Sequence, residues 1–421
     1  MRHPGLSLIA SQVVIAGLTA LCLLMTASPV LAADCTSQAS GLWSDPNTWV
    51  NCNDSAPGAA DTATILAGHA VTLDADADVL AVTIQAGAGL DVSGRTLRLA
   101  GDAAPLTVEA GAVFTATGST VVYNGATVQD VAAANVAYAS LTIDNAAGAT
   151  LSAAITVPVT LTLAAGAFDN SAAALTLGDG ATIVRSGGEL VAAPVFAGQV
   201  DLRYAGAISV TSGPELPAPI LTATLRNLTV SDASTVTLGS VATRVNGDLA
   251  VAQASALAVK NNCVLQVYGD VAVGISGTLT ASAGMTLSTS LLYFYGPTFT
   301  NSGTVEVNTI FDADGAQTLA GTGAWTGGYL AIGQANKPTV RLANDVTLNV
   351  TALQLLCLTQ PCPPQPTLDL NGYALTFGGG GLGTLLNGGL ITGTAGAVVR
   401  TDGVVLVNQG DFSNAIFAVP L

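Results

Sequence analysis

Few residues in this chain are of types that do chemistry. His69 is one of two histidines, the other being His3 near the start. A catalytic triad needs a histidine with a nucleophile and a carboxylate, and a zinc site needs three or four ligands. Gly68-His69 sits at a corner between short apolar stretches without such partners nearby, so a structural role is expected. Asp74-Ala75-Asp76-Ala77-Asp78 places carboxylates at alternate positions, which in a turn would converge on a hard cation. An EF-type loop would carry glycine at its sixth position and an acid at its twelfth, where Val79 and Gln85 stand. In an extended segment Asp74, Asp76 and Asp78 share one solvated face, and neither a metal nor another cofactor is expected.

Asp312 and Asp314 flank Ala313 before Gly315, a spacing suited to a turn. Sugar hydrolysis needs paired carboxylates around one cleft, whereas the 27 acidic residues are scattered along the chain. No catalytic residue is assigned on sequence. Trp43, Trp49 and Trp325 could stack on sugar rings. Trp43 and Trp49, close to Cys52, are better placed to plug the open end of a first coil. Gly378–Gly381 lacks the Lys-Ser/Thr that completes a phosphate loop.

What must position these residues is a chain of short strands. Residues 1–33 read as a secretory signal: basic tip, apolar run, then Val30-Leu31-Ala32 or Leu31-Ala32-Ala33 as cleavage sequence, so the mature chain starts near Ala33 or Asp34. Cys35 follows Asp34 rather than a small residue, which excludes lipidation. Removing the leader takes Arg2 and leaves ten basic against 27 acidic residues. That balance argues against a nucleic-acid partner and against docking on anionic lipid. No later run reaches the roughly 18 apolar residues of a transmembrane helix. An outer-membrane barrel is disfavoured by an aromatic content of 5% and the lack of paired girdles.

Beyond the leader, one phrase recurs: an apolar-x-apolar triplet, a few small or polar residues, then another such triplet. Val82-Thr83-Ile84, Leu106-Thr107-Val108, Leu141-Thr142-Ile143, Leu161-Thr162-Leu163, Leu228-Thr229-Val230, Leu249-Ala250-Val251 and Val271-Ala272-Val273 are copies. Successive copies recur every 20 to 24 residues or so, the signature of stacked β-coils. A longer repeat joins Tyr123-Asn124-Gly125-Ala126, Tyr204-Ala205-Gly206-Ala207 and Asp314-Gly315-Ala316-Gln317, each leading into a further triplet. The expected fold is all-β, a right-handed parallel β-helix (β-solenoid) with an N-terminal cap. Leu, Val, Ile and Ala would point inward, Thr and Ser outward, and glycines would serve the corners. At about 22 residues per coil, residues 61–421 make roughly 16 coils, a rod of about 75 Å.

The domains predicted are a signal peptide (1–33), a cap with two tryptophans and a candidate disulfide (34–60), and the β-helix (61–421). A Pro/Cys-rich loop at 357–366 is expected to be thrown out from the rod, since proline cannot serve a central ladder. Five cysteines remain after the leader. Cys35–Cys52 could staple the first loop and Cys357–Cys362 close a short one, leaving Cys263 as a small buried residue. The last coil should present unpaired strand edges, to be met by a cap, by self-association or by a truncated gene product.

The opening pattern Trp43…Pro46…Trp49…Pro57-Gly58…Asp61-Thr-Ala-Thr-Ile65…Gly68-His69…Val71-Thr72-Leu73-Asp74 resembles the start of secreted bacterial right-handed β-helix surface proteins of the adhesin-like kind. It is also similar to the extracellular domain named for its eight glycines, known from hyaluronan-degrading surface proteins and fibrocystin-like receptors. Gly41, Gly58, Gly68, Gly87, Gly89, Gly94 and Gly101 would supply seven of those positions. No catalytic residue of the hyaluronan-degrading proteins has a matching motif here, so that activity is not carried over. The resemblance implies a secreted or cell-surface structural or adhesive solenoid without catalytic activity. Its partner would be an extracellular glycan or a surface protein. The alternative is a β-helix that binds or degrades carbohydrate.

Overall fold

The computed structural model describes residues 32–217, 223–240, 242–260, 262–281, 290–356, 364–377, 383–401, 405–408, 410–413 and 416–418. Cys357 and Cys362, with most of the Pro/Cys-rich loop, and Gly378–Gly381 lie outside them. Among the described residues the chain is strand throughout, apart from one 3-10 turn at Pro46–Thr48. No helix there is long and apolar enough to cross a membrane.

Strands of four residues with one apolar face cannot bury that face alone; stacking solves the problem. Each coil contributes a strand to each of three sides, and every inter-coil pairing is parallel. One side is a continuous 16-stranded sheet running from Ala77–Val79 to Asp411–Ser413. The other two sides are laddered in segments. Two four-rung parallel ladders cover the first coils, smaller sheets the middle, and a second 16-stranded sheet the rest, wrapping around both sides. The β-solenoid expected from the 20–24-residue period is thus the observed fold.

Registers match the triplets residue for residue. Leu228 lies beside Leu249, Leu249 beside Val271 and Val271 beside Phe299, all nearly inaccessible. The intervening positions, such as Thr142 and Thr162, face outward. Alternation along each strand therefore separates a Leu/Val/Ile lumen from a Thr-rich surface, as period-2 patterning requires. Two details depart from the sequence reading. The triplets at 82–84 and 106–108 stand on a different side from those at 141–143 onward. The third long repeat is also out of phase. Leu141–Ile143 and Leu228–Val230 lie in the continuous sheet, but Leu330–Ile332 lies on the wrapped one.

That wrapped sheet changes character late in the rod. Upstream, two separate strands serve its two sides in each coil. Ala324–Ile332 and Val346–Leu355, 9 and 10 residues long, each run across both sides as one strand. Just before this point the lumen is filled by aromatic rings. Phe294, Phe299, Phe311 and Trp325 pack with centroid separations of 5.0–5.8 Å.

The cap is part of the stack. Asp34–Ser37 pairs in parallel with Thr62–Ile65, and Gly41–Leu42 with Ala70–Thr72, so the first two sides of a coil are already present. In place of a third strand the chain makes an excursion through residues 43–60, returning Trp49–Val50 antiparallel against Thr36–Ser37. Cys35 and Cys52 are joined by a disulfide across that excursion.

Candidate binding surface

The structure distributes the sequence candidates rather than gathering them. Trp43 and Trp49 are 4% and 3% exposed, packed edge to face at 5.0 Å. Their indole N–H groups donate to the carbonyls of Pro57 and Trp43. Neither ring has a face left for a ligand. Trp325 is likewise interior. The sulfurs of Cys35 and Cys52 come within 4.8 Å of an Asp61 oxygen, but bonded to each other they are not the thiolates a soft metal ion needs.

Asp74, Asp76 and Asp78 do not converge. Asp74 accepts hydrogen bonds from the hydroxyl and N–H of Ser44, which hold its carboxyl below the usual range. Asp76 accepts from the N–H of Thr96, and Asp78 pairs with Arg98 at 3.5 Å. Each carboxylate ties one coil to another. His69 Nδ1 lies 2.9 Å from Ser37 Oγ. This resembles a base–nucleophile pair, but Ser37 is fully buried and its oxygen accepts from the N–H of Leu66; the contact fastens a corner. Asp312 is buried, and one of its oxygens accepts from three successive N–H groups, of Gln334, Ala335 and Asn336. Asp314 is exposed in the bend that follows it. Cys263 is buried and outside any disulfide, with its thiol pushed up by burial.

The interior holds polar groups that sequence reasoning missed. Tyr123 and Tyr138 join hydroxyl to hydroxyl at 2.8 Å, with Ala132 N–H donating to Tyr123 and Tyr138 donating to Ala132 C=O. Burial pushes the Tyr123 phenol up to about 12 and that of Tyr138 well above its ordinary value. The Gln129 amide donates to the carbonyls of Leu99 and Gly101, and Gln317 does the same to Phe294 and Gly296. Arg185 and Glu215, 6% and 0% exposed, form an ion pair at 2.8 Å to which Tyr204 also donates. These groups close the backbone valences that corners leave open inside a narrow rod.

On the outside, one cluster stands apart. Strands Ala242–Val245, Val264–Val267 and Leu291–Phe294 pair in register, which places Tyr268 directly beside Tyr295 one coil on. Their rings stack at 4.7 Å, and Tyr293, two residues before Tyr295, lies parallel to it at 6.2 Å. The Arg244 guanidinium covers the far face of the stack, 4.3 Å from the Tyr268 centroid, steadied by Asn246. Tyr293 donates to the Gln334 side chain. Partial burial, followed by the Asp312 charge, pushes the Tyr295 phenol up to about 12. Tyr329, also raised by burial, senses Tyr293. Lys337 Nζ donates to the carbonyls of Gly333, Gln334 and Leu356.

The result is a stripe of phenol edges and hydroxyls bordered by amides and two cations. Ion pairs occupy Arg98, Arg185, Arg203, Arg226 and Arg341. Among the described residues Arg244 and Lys337 pair with no carboxylate, and neither do Arg95, Lys260 and Arg400 elsewhere on the rod. The sequence did carry a signal for the stripe: Val264-Leu265-Gln266-Val267-Tyr268 and Leu291-Leu292-Tyr293-Phe294-Tyr295 are the same alternating phrase with aromatics at outward positions.

No protein-family model, curated protein or solved structure matches this chain.

Proposed function

We propose that the chain is an exported, non-catalytic β-solenoid that holds an extracellular saccharide at the Arg244–Tyr268–Tyr295–Tyr293 stripe, in a structural or adhesive role. The observation that carries this reading is the stripe itself: stacked phenols, Tyr268 exposed and Tyr293 and Tyr295 half-buried, beside a guanidinium without a carboxylate partner. Phenol edges and amides offer the mixed apolar and hydrogen-bonding contact that sugars need, on side chains that lose little rotamer freedom when they bind. A cation left unneutralised on a chain of net charge −16 favours a ligand that carries carboxylate or sulfate groups. The placement agrees with a leader that would deliver the rod outside the membrane. The acids singled out on sequence fit the same choice, since Asp74, Asp76 and Asp78, weighed as a cation site, and Asp312 each fix one coil to the next.

The test is a glycan array of neutral and acidic oligosaccharides probed with the protein lacking its leader, followed by Arg244→Ala and Tyr295→Ala. Binding to acidic members that weakens about tenfold or more in both variants supports the reading, since one lost charge-assisted contact is worth on the order of 1.5–3 kcal/mol. An array with no binding, or binding indifferent to both changes, would sink it.

A further inference from the structure

The first coil contains a carboxylate that lacks a countercharge. Asp61 is 5% exposed. One of its oxygens accepts from the N–H of Ala33 at 2.7 Å and the other from the N–H of Gly58 at 2.8 Å. The disulfide sulfurs of Cys35 and Cys52 lie within 4.8 Å. No basic side chain pairs with Asp61 among the described residues. Buried carboxylates held only by neutral amides are costly, and proteins ordinarily supply an opposite charge.

Ala33 is the point at which the rod begins. Its N–H reaches Asp61, its carbonyl accepts from the N–H of Thr62 at 2.9 Å, and the residue is buried. Ala32, one residue earlier, is exposed. Of the two cleavage positions the leader sequence allows, the one after Ala33 would remove both the donor to Asp61 and the acceptor for Thr62. The one after Ala32 keeps both and turns the donor into a primary amine.

We propose that a signal peptidase hydrolyses the Ala32–Ala33 peptide bond, and that the α-ammonium so created is the buried counter-ion of Asp61. One water is consumed. The C–N bond breaks, the carboxylate stays on Ala32 with the departing leader, and the amine on Ala33 is protonated at neutral pH. The neutral N–H···O contact becomes a charge-assisted one in the same place, at a distance already typical of such bonds. Export processing thereby locks the first coil beside the disulfide. This inference rests on the chain being exported.

The experiment expresses the full chain with its own leader in a bacterial host and analyses the exported fraction by intact mass and N-terminal sequencing. A mature chain beginning at Ala33 is expected. An exported chain beginning at Asp34, or one retaining the leader, overturns the inference while leaving export standing; a chain kept whole in the cytoplasm overturns both. On the processed wild-type protein, amine-selective methylation, normalised to the exposed Lys260, should modify the Ala33 amine about tenfold or more slowly in the folded chain than in the urea-unfolded one, since a unit of pKa corresponds to that factor. Asp61→Asn should bring the folded and unfolded rates closer together. Equal Ala33 rates in the folded and unfolded wild type overturn the pairing whether or not the variant folds.

Discussion

Glu215 and the buried tyrosines make testable claims for single residues. Glu215→Ala leaves the interior Arg185 guanidinium with only the exposed Glu189 carboxylate at 3.6 Å, for which a loss of about 3 kcal/mol in a urea titration is expected. Tyr123 gives a pH prediction. Its pKa is raised by burial from 10.0 to about 12 in the fold, so the stabilisation from its protonated form is fully present below pH 10 and is lost as pH rises through about 12. Tyr138 and Tyr204 are shifted in the same direction by burial. Phenolate absorbance should therefore show a late phase above about pH 12 that coincides with loss of the β circular-dichroism signal; full ionisation of all tyrosines near pH 10 with the fold intact would contradict it. At this scale little of the site was legible. Trp43 and Trp49 read as plugs for the first coil, and both are buried there. Tyr268 and Tyr295 were hidden because the coil between them is 27 residues long, outside the period being counted.

Among the elements, corners and cap carry the predictions. Gly166 has φ +70°, and a Cβ there would run into the carbonyl oxygen of Asn145 on the coil below; Gly68 has φ +84° with open space around it. Gly68→Ala should cost about 1 kcal/mol, the left-handed backbone penalty alone. Gly166→Ala should cost clearly more, because the neighbouring rung must shift; equal urea midpoints would refute this. Loss of the Cys35–Cys52 bond, with its sequence separation of 17, should remove about 3 kcal/mol. In a stack where each coil touches only its neighbours, the extra hydrogen exchange should concentrate in the first coils. The strands themselves were readable, because alternation such as Leu228-Thr229-Val230 reports burial directly. Their assignment to sides was not. A side is defined by which residue lies one coil away, and Val82-Thr83-Ile84 and Leu141-Thr142-Ile143 look alike while standing on different sides.

For the whole molecule, 16 strands in the continuous sheet at about 4.8 Å spacing give a ladder of roughly 70–75 Å. Small-angle scattering should return an elongated particle, and circular dichroism a β spectrum without a helical component. The rod is also a mechanical object, and its inter-coil hydrogen bonds lie along its long axis, the direction of an end-to-end pull. Axial tension loads the rungs in series, so coils should peel one after another. The rung formed by Ala324–Ile332 and Val346–Leu355 departs from that sequence, because its seven register pairs over two sides lie in single unbroken strands, where other coils divide a similar number between two separate strands. An extension trace should climb through small, similar steps and then meet one in which both sides yield together, a single longer jump where the earlier coils give two.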